Sequence, residues 1–482
     1  MDIADREDAT SALNSFKATT IQSGHTVLLR LPSGETKGFK VEKDATISIG
    51  RVGSFRANEL IGHPYGLTYE IRGKELTVQP PHTLQEVEET DATNELINDG
   101  EFVQPLTLGE IEGLKKSGVH ASVRLGLHFM QNRSIIYFPQ DIIKAQIEQH
   151  ANYSLKTEYS KEKYKQRKEA KYSKTFSTVE PTIYNVCDHW FKKDQNRIRD
   201  IRPDTLSQIL NLANVRPGGR YIVVDEASGL LVSAILERLG GEGRLISICD
   251  VDSPPAYPVM TLMNFRKDVV TNIHSSLNWA TAQEDYTPAV AQESSSEVGK
   301  SERHRIRLDK RKNAADTLLN AREELFAGEF DALLIASDYD SLEILQNLIL
   351  YVAGSGSIVV QSPFSQPLTE LQSKLRLDPG YLAPSITESW LRRYQVLPGR
   401  THPTMSTSGS GGFLLHAIKV YDDPNASKVS SHRQSKRQKK EADEGNPTVP
   451  QTLESYQTTE LEGKNATVAD QASLTNEMEP IG

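Results

Sequence analysis

The sequence predicts an α/β protein whose larger domain is built on a doubly wound, mostly parallel sheet. Apolar runs typical of buried strands alternate with helical patterns through residues 181–422. Proline and glycine at 217–219, and two glycines at 240–241, are typical of helix ends and terminate the predicted helices. Ahead of this region, residues 21–100 contain short β-rich runs separated by turn signals. This second pattern predicts a small N-terminal β-barrel domain.

The predicted elements of the larger domain follow one another regularly. In order they are the helix "DTLSQILNLANV", the strand "RYIVVDE", the helix "GLLVSAILERL", the strands "RLISICD" and "FDALLIAS", the helix "DSLEILQNLIL" and the strand "GSIVVQSP". Two further runs, "WLRRYQVL" and "GFLLHAIKV", are joined by residues 398–412, too few for a crossover that contains a helix. They are predicted to pair as an antiparallel hairpin at the sheet edge. A parallel sheet finished by such a hairpin is the layout of the Rossmann-like class I methyltransferase fold.

The remaining segments are polar or strongly charged. The predicted organisation adds a disordered N-terminus at 1–20, a helical, basic connecting segment at 101–180, a disordered insertion at 281–313 within the α/β domain, and a disordered tail with a basic cluster at 423–482. The insertion has an acidic first half and a basic second half. Residues 441–482 hold nine acids and one lysine, so this end of the tail carries most of the net charge of -9.

Length and composition narrow the class of protein. A chain of 482 residues is too long for one compact core and predicts two or three domains. The only two cysteines, Cys187 and Cys249, cannot form a disulfide framework or a zinc cluster on their own, and they favour a reducing compartment. The acidic start "MDIADREDATSALNS" is unlike a signal or transit peptide, and no apolar run approaches the ~20 residues that span a bilayer. We therefore expect a soluble intracellular protein with no membrane partner.

The basic segment 156–174 is a candidate nucleic-acid surface. It holds eight lysines and arginines against three glutamates, with tyrosines interleaved among the cations. Lysines and arginines displace the counterions condensed on nucleic acid, and the excess of cations favours this interpretation. The alternative is a solvated helix face with i,i+4 ion pairs. The residues predicted to contact RNA are Lys163, Lys165, Arg167, Lys168 and Lys171.

The stretch "IVVDEASGLLVSAI" (222–235) has the outline of a strand, a tight turn and a helix that could hold a nucleotide-like cofactor. Such a turn usually carries three glycines, because a side chain there would collide with the cofactor. Counted from Asp225, the glycine positions hold Ala227, Gly229 and Leu231. Leu231 is predicted to point into the space of the cofactor. The acid that would bind ribose hydroxyls is available as Asp250, at the end of the next strand.

The strand "FDALLIAS" should deliver a polar or acidic group at its tip to hold a target base. It presents Ala336 and Ser337 there instead. Asp338 or Asp340 could substitute after a shift, although Asp340 is better placed to cap the following helix. Two of three requirements for a working S-adenosylmethionine site therefore fail. We expect a vestigial site that has no catalytic residue and binds no cofactor.

The same segments resemble a known family. The α/β domain is similar to the tRNA adenine N1-methyltransferases that act on the T-loop adenosine at position fifty-eight. Within that family, "YSKEKYKQRKEAKY", "RRYQVLPGRTHPTMSTSGSGGFLLHAIKV" and "NELINDGEFVQPLTLGEI" resemble the non-catalytic, RNA-binding subunit of the eukaryotic enzyme. Residues 123–140 depart from the family pattern, as either a lineage insertion or a mis-spliced addition.

The resemblance implies a role in tRNA maturation. It implies tRNA as a ligand, a catalytic subunit of the same fold that binds S-adenosylmethionine, a heterotetramer of two plus two subunits, and a nuclear location. Arg400 and His402, in the loop "GRTHP", are further candidate RNA contacts. The alternative for Arg400 is a salt bridge that shapes this loop or the subunit interface.

Two other interpretations of the chain remain open. It could be an active methyltransferase with a degenerate cofactor loop, or a scaffold in translation initiation. Residues 428–440 carry six cations and no acid, which favours a nuclear import signal over a loosely solvated tail or an extra RNA contact.

Overall fold

The computed structural model describes residues 17–80, 160–161, 163–164, 167, 173–251, 255–287, 302–397, 400–406 and 408–421, without the side chains of residues 304, 397 and 400. The segments 123–140 and 423–482 lie outside this described part.

Lys17, which lies in the N-terminus predicted to be disordered, is held in place. Its ammonium group forms an ion pair with Glu237 and donates a hydrogen bond to the carbonyl oxygen of Pro181 at 2.6 Å.

The N-terminal part of the chain forms an open antiparallel sheet. Its strands are β1 (Thr26–Arg30), β2 (Thr36–Lys40), β5 (Thr68–Arg72), β6 (Glu75–Gln79) and β7 (Thr175–Val179), in the order β2-β1-β7-β5-β6. A separate hairpin joins β3 (Thr46–Ser48) to β4 (Ser54–Arg56). The predicted barrel is wrong, because β2 and β6 are edges of the described sheet and do not pair with each other. The central strand β7 comes from the segment predicted to be a helical connection.

A small aromatic core supports this sheet. The ring of Phe176, on β7, stacks on Phe55 with 5.0 Å between centroids and on Tyr69 with 5.5 Å. All three side chains are buried. The side chain of Asn264 joins the sheet to the larger domain, because it donates to the carbonyl oxygen of Thr26 and accepts from its N–H, both at 2.8 Å.

The larger domain is a seven-stranded sheet with helices on both faces. Its strands are β8 (Arg220–Asp225), β9 (Arg244–Cys249), β10 (His274–Asn278), β11 (Phe330–Ala336), β12 (Val352–Ser362), β13 (Tyr381–Glu388) and β16 (Phe413–Lys419). The order is β10-β9-β8-β11-β12-β16-β13, and β16 is antiparallel to both of its neighbours. This order is the class I methyltransferase layout. The predicted α/β class and largely parallel sheet are confirmed.

Eight α-helices accompany the strands in the described part of the chain. They are α1 (Ile183–Lys193), α2 (Pro203–Leu212), α3 (Leu230–Leu239), α4 (Pro258–Met263), α5 (Lys267–Ile273), α6 (Glu302–Ala327), α7 (Ser341–Leu348) and α8 (Ser365–Leu377). Residues described between 160 and 167 are also helical. Among the described residues, no helix combines the length and apolarity that crossing a bilayer requires.

The core lies on both faces of the sheet, as a doubly wound fold requires. Along β8, Tyr221 and Val223 pack into the cluster on one face, and Ile222 and Val224 pack into the cluster on the other. A strand buried on both sides therefore appears in the sequence as a continuous apolar run. Helix α3 is buried on nearly all sides and ends at Gly240, whose φ is +63°.

The terminal antiparallel pair differs from the predicted one. Strand β16 pairs with β13, whereas the run "YQVL" forms β14 (Tyr394–Leu397) and pairs with β15 (Arg400–Pro403) in a separate hairpin. The predicted pairing of "WLRRYQVL" with "GFLLHAIKV" is therefore wrong. No strand was predicted at β13, because this segment contains Pro384 and exposes most of its side chains, which are features of an edge strand.

The predicted disorder of the insertion 281–313 is wrong over its second half. Residues 302–313 belong to α6, which continues to Ala327 and leads into β11. The basic half of the insertion is therefore the N-terminal half of a long helix.

Candidate functional site at the carboxyl edge of the sheet

The turn between β8 and α3 is held by Asp225. One carboxylate oxygen accepts from the N–H of Ala227 at 2.7 Å, and the other accepts from the N–H of Val232 at 2.9 Å. Burial raises the pKa of Asp225, and the backbone donors act in the opposite direction. Gly229 begins the helix with a φ of +83°, which glycine adopts without strain. Both oxygens of Asp225 are thus engaged in shaping the turn.

Tyr257 covers this turn. A Cβ added at Gly229 would lie 2.4 Å from the Cβ of Tyr257, so the space that glycine leaves open is filled by this tyrosine. In cofactor-binding turns of this fold, the same space lets the backbone approach a ligand. The close approach required of Gly229 therefore serves a contact within the chain.

A short chain of hydrogen bonds fixes Tyr257. Its hydroxyl donates to Oγ of Ser247 at 3.0 Å, and that Oγ lies 2.9 Å from Nε2 of His274. Burial raises the pKa of Tyr257, which keeps its hydroxyl a donor. Burial, followed by the charge of Arg244, lowers the pKa of His274 to about 4, so its imidazole is neutral near pH 7 and Nε2 accepts from Ser247.

Acid is expected to weaken the fold through His274. A histidine in the unfolded chain titrates near 6.5, above the folded pKa of about 4, so protonation favours the unfolded state. The unfolding free energy should hold steady above pH ~6.5 and fall between pH ~6.5 and ~4, by at most about 3 kcal/mol. Urea unfolding at several pH values checks this. His274→Gln should lose less over the same window, and an equal loss in both proteins would exclude His274 as the cause.

The structure corrects the role of Leu231. Its side chain is buried in the core on one face of the sheet, as is that of Ala227. Neither residue lines the cavity at the carboxyl edge. The prediction that Leu231 occupies the cofactor's space is wrong, because its position on α3 turns it toward the sheet.

The tip of β11 is covered by Arg199. Ala336 faces the core, and its carbonyl oxygen accepts from the N–H of Glu226 at 2.9 Å. The buried guanidinium of Arg199 donates to the carbonyl oxygen of Ser337 at 2.7 Å and forms an ion pair with Asp338. The place where a target base would have to be held is therefore occupied by this arginine. Asp340 caps α7 by accepting from the N–H of Leu342 at 2.9 Å, as predicted.

A cavity of about 180 Å³ remains at this edge. Ligand pockets usually measure about 300–1,000 Å³, so the space is small for a nucleoside-sized cofactor. Asp250 lies at its rim and accepts from the hydroxyl of Tyr339 at 3.3 Å, an interaction that raises the pKa of Tyr339. The residues present do not fit S-adenosylmethionine. The lining residues are Val224, Asp225, Glu226, Ser228, Ile248, Cys249, Asp250, Pro255, Ala256, Tyr257 and Trp279.

Tyr257 and Arg199 were missed by sequence reasoning. Tyr257 had a signal, since it is an aromatic residue in the proline-rich loop that follows the second strand of the parallel sheet. Arg199 had none, because it lies ahead of the first helix packed on that sheet, in a loop with no recognisable motif. It has a φ of +54°, in the left-handed region. Among the described residues, no group of histidine, cysteine and acidic side chains could hold a metal ion.

The structure describes only some of the candidate RNA contacts. Lys163 and Arg167 are exposed in the helical segment around 160–167. His402 is half-buried in β15, and its Nδ1 lies 2.7 Å from the carbonyl oxygen of Pro403. The backbone of Arg400 begins β15. Lys165, Lys168 and Lys171, and the side chain of Arg400, lie outside the described residues.

Two solved structures are similar to this chain at low sequence identity. An O-methyltransferase of Thermotoga maritima is 12% identical, with a TM-score of 0.46, over 84% of this chain and 97% of that one. The tRNA (m1A58) methyltransferase of Aquifex aeolicus is 11% identical, with a TM-score of 0.42, over 84% of this chain and 100% of that one.

Sequence relatives cover most of the chain. A protein of Debaryomyces hansenii named tRNA (adenine(58)-N(1))-methyltransferase non-catalytic subunit is 29% identical, over 86% of this chain and 90% of its own length. The mouse protein of the same name is 26% identical, over 77% of this chain and 82% of its own. The family model described as Gcd10p matches residues 20–309, which is more than half of the sequence. The chain therefore belongs to the Gcd10p family.

Proposed function

We propose that this chain is the non-catalytic, tRNA-binding subunit of a tRNA (adenine-58-N1)-methyltransferase complex. Its family and the names of its relatives support this assignment. The observation that carries it is the state of the carboxyl edge. The sheet keeps the order of a methyltransferase, yet Tyr257 and Arg199 fill the positions that a methyl donor and a target base would need. A catalytic subunit of the same fold would bind S-adenosylmethionine and carry out the transfer.

The physical advantage of such a subunit lies in the substrate. An adenine inside folded tRNA has to be flipped into a pocket before its ring nitrogen can be methylated, which costs a few kcal/mol of unstacking. Contacts with the phosphate backbone offset this cost without requiring any chemistry from the residues that make them. Exposed cations such as Lys163 and Arg167 would supply contacts of this kind.

The surface proposed for the catalytic partner is the end of the sheet at β13 together with the β14–β15 hairpin. Strand β13 is an edge that pairs only with β16 among the described strands. Large apolar residues are exposed in the chain that follows β13, including Trp390 at 79%, Val396 at 75% and Met405 at 82%. An unpaired edge with exposed aromatic and aliphatic groups is typical of a surface that is covered in an assembly. We infer that two such pairs form the tetramer.

Calorimetry tests whether S-adenosylmethionine is bound by the catalytic partner and not by this chain. The isolated chain titrated with S-adenosylmethionine should give no binding heat, because the cavity of about 180 Å³ is smaller than the usual range for ligand pockets. The purified complex should bind it and should methylate tRNA. Micromolar binding or methyl transfer by the isolated chain would instead favour the degenerate but active enzyme.

The nuclear location is part of the same proposal. It rests on the six cations of residues 428–440, which lie outside the described residues. Microscopy of a tagged chain in which these cations are replaced by glutamine would reveal whether they are required for import.

A further inference from the structure

Helix α6 is much longer than the part of it that packs against the domain. Its 26 residues correspond to about 39 Å. Its most deeply buried apolar side chains are at the C-terminal end, where Ala321 and Leu325 enter the core. Residues 305–314 are all exposed. The N-terminal half therefore extends away from the packed domain.

The direction of this extension follows from the chain connection and from contacts near the C-terminal end of α6. Only Gly328 and Glu329 separate α6 from β11. The C-terminal end of α6 lies at the amino ends of the parallel strands, because Glu324 pairs with Arg244 of β9 and the carbonyl oxygen of Gly328 accepts from Arg220 of β8. Arg322 donates to carbonyl oxygens beyond the carboxyl end of β10, so the helix runs antiparallel to the strands.

The seven residues of β11 span about 23 Å, which takes about fifteen residues of helix. Residues 302–312 consequently extend about 16 Å beyond the carboxyl edge of the sheet, where Tyr257 and Arg199 lie.

The exposed half carries an excess of positive charge. Residues 302–316 contain six cations and three acids. No ion pair joins any of these six cations to another residue in the described part of the chain. The cations are Arg303, Arg305, Arg307, Lys310, Arg311 and Lys312.

Four of the cations form one stripe. Arg303, Arg307, Lys310 and Arg311 are spaced i, i+4, i+7 and i+8, which places them on a single face. Five turns of helix take about 18 residues, so Arg303 is in line with Ala321 and Arg307 with Leu325. These two later residues face the sheet. The stripe, hereafter the inner stripe, therefore faces the space above the carboxyl edge.

The inner stripe is unfavourable when nothing covers it. Arg303 and Arg307, and Arg307 and Arg311, are like charges four residues apart, which destabilises a helix. A helical extension of about fifteen residues with no packed face is marginal in water. An anionic partner would relieve this repulsion and would thereby stabilise the helix.

We propose that the inner stripe binds the phosphate backbone of RNA held above the carboxyl edge, an inference that rests on the proposed tRNA-binding function. RNA fits better than an acidic protein surface because the described residues of this face present four cations and only one exposed large apolar residue, Ile306. Backbone contacts to nucleic acid depend on such charge, whereas protein interfaces depend on buried aromatic and aliphatic anchors. Helix α6 thereby adds a second cationic surface to the one around residues 160–167.

The test compares two double variants of the complex purified with its catalytic partner. Arg303→Gln/Arg307→Gln removes two charges from the inner stripe, and Arg305→Gln/Lys312→Gln removes two from the opposite face of the same helix. Fluorescence anisotropy with labelled tRNA, between 50 and 200 mM salt, measures the affinity. The inner variant should bind about tenfold more weakly and flatten the slope of log affinity against log salt by about 2, whereas the outer variant should change affinity by less than about twofold.

The outcomes separate this inference from the proposed function. If the unmodified complex fails to bind tRNA, the proposed function itself is overturned. If it binds tRNA but the inner and outer variants behave alike, the inference about α6 is overturned and the proposed function stands. An inner variant that loses its catalytic partner would also overturn the inference, because the helix would then serve assembly.

Discussion

Replacing Val396 with aspartate is expected to separate this chain from its catalytic partner. Val396 lies on β14 and is 75% exposed, two residues along the same strand from Tyr394, which is 56% exposed. If this surface is buried in the complex, an unpaired carboxylate there loses its hydration, which costs several kcal/mol. The affinity between the subunits should therefore fall at least about a hundredfold, or ~2.7 kcal/mol. Size-exclusion chromatography with light scattering would show the complex replaced by separate subunits.

Leu350 provides the matched control for this experiment. Leu350 is 74% exposed, in the turn Ile349–Tyr351 at the amino end of β12, whereas the β14–β15 hairpin follows the carboxyl end of β13. Leu350→Asp should leave the complex intact, because Leu350 and the hairpin lie at opposite ends of the strands. If the Val396→Asp chain still elutes with its partner, the hairpin is not part of the interface.

Arg202→Ala should cause the largest loss of stability. Arg202 is 4% exposed and makes two hydrogen bonds to the carboxylate of Asp204, at 2.6 and 2.8 Å. Its remaining donors reach the carbonyl oxygen of Ser389 at 3.1 Å and both oxygens of Ser408 at 3.3 and 3.2 Å. Ser389 precedes the β14–β15 hairpin and Ser408 follows it, so one guanidinium holds both ends of the hairpin.

Loss of this side chain should lower the unfolding free energy by about 3 kcal/mol, because Asp204 and the two loop ends lose a buried partner. The β14–β15 hairpin should also lose its fixed position, which would weaken assembly with the catalytic partner. Urea unfolding of the chain and chromatography of the complex measure the two effects.

Arg216→Ala is the comparison, since Arg216 forms an exposed ion pair with Asp331 at 2.8 Å and its loss should cost less than about 1 kcal/mol. Arg202→Lys should retain part of the stability, because an ammonium group keeps the charge but cannot match the two oxygens of Asp204 together. Equal losses for Arg202→Ala and Arg216→Ala would contradict the anchoring role.

Four of the five parallel strands were predictable because they carry their own signal, whereas β10, with the polar sequence "HSSLN", was not predicted. A strand such as β8, buried on both faces, appears as an uninterrupted apolar run, and the turn and helix after it repeat in a fixed order. The antiparallel partner of β16 was not predictable in this way. The run "YQVL" looks more like a strand than β13, which contains Pro384 and a bulge after Leu382. Which strand pairs with β16 depends on contacts between residues far apart in the sequence, and a local sequence pattern does not reveal those contacts.

The blocked state of the site was anticipated, but its cause was not. The missing glycines at Ala227 and Leu231 pointed to an altered turn, yet these side chains pack into the core. Tyr257 instead fills the space at the turn and Arg199 covers the tip of β11, and both residues come from elsewhere in the chain. A sequence motif shows which residues would bind a ligand, because their spacing is fixed. Residues that occupy the ligand's space instead have no fixed spacing, so a motif does not predict them.

Because β7 is the middle strand of the small sheet, that sheet is incomplete until the ribosome has added residue 179. A fragment that ended near residue 100 would retain separate hairpins, each marginal in water. The connection of about 95 residues between β6 and β7 closes at a free-energy cost that depends only weakly on its length, so gaining or losing residues 123–140 changes that cost by about 0.2 kcal/mol. The connection can therefore lengthen or shorten during evolution while the sheet that it completes is preserved.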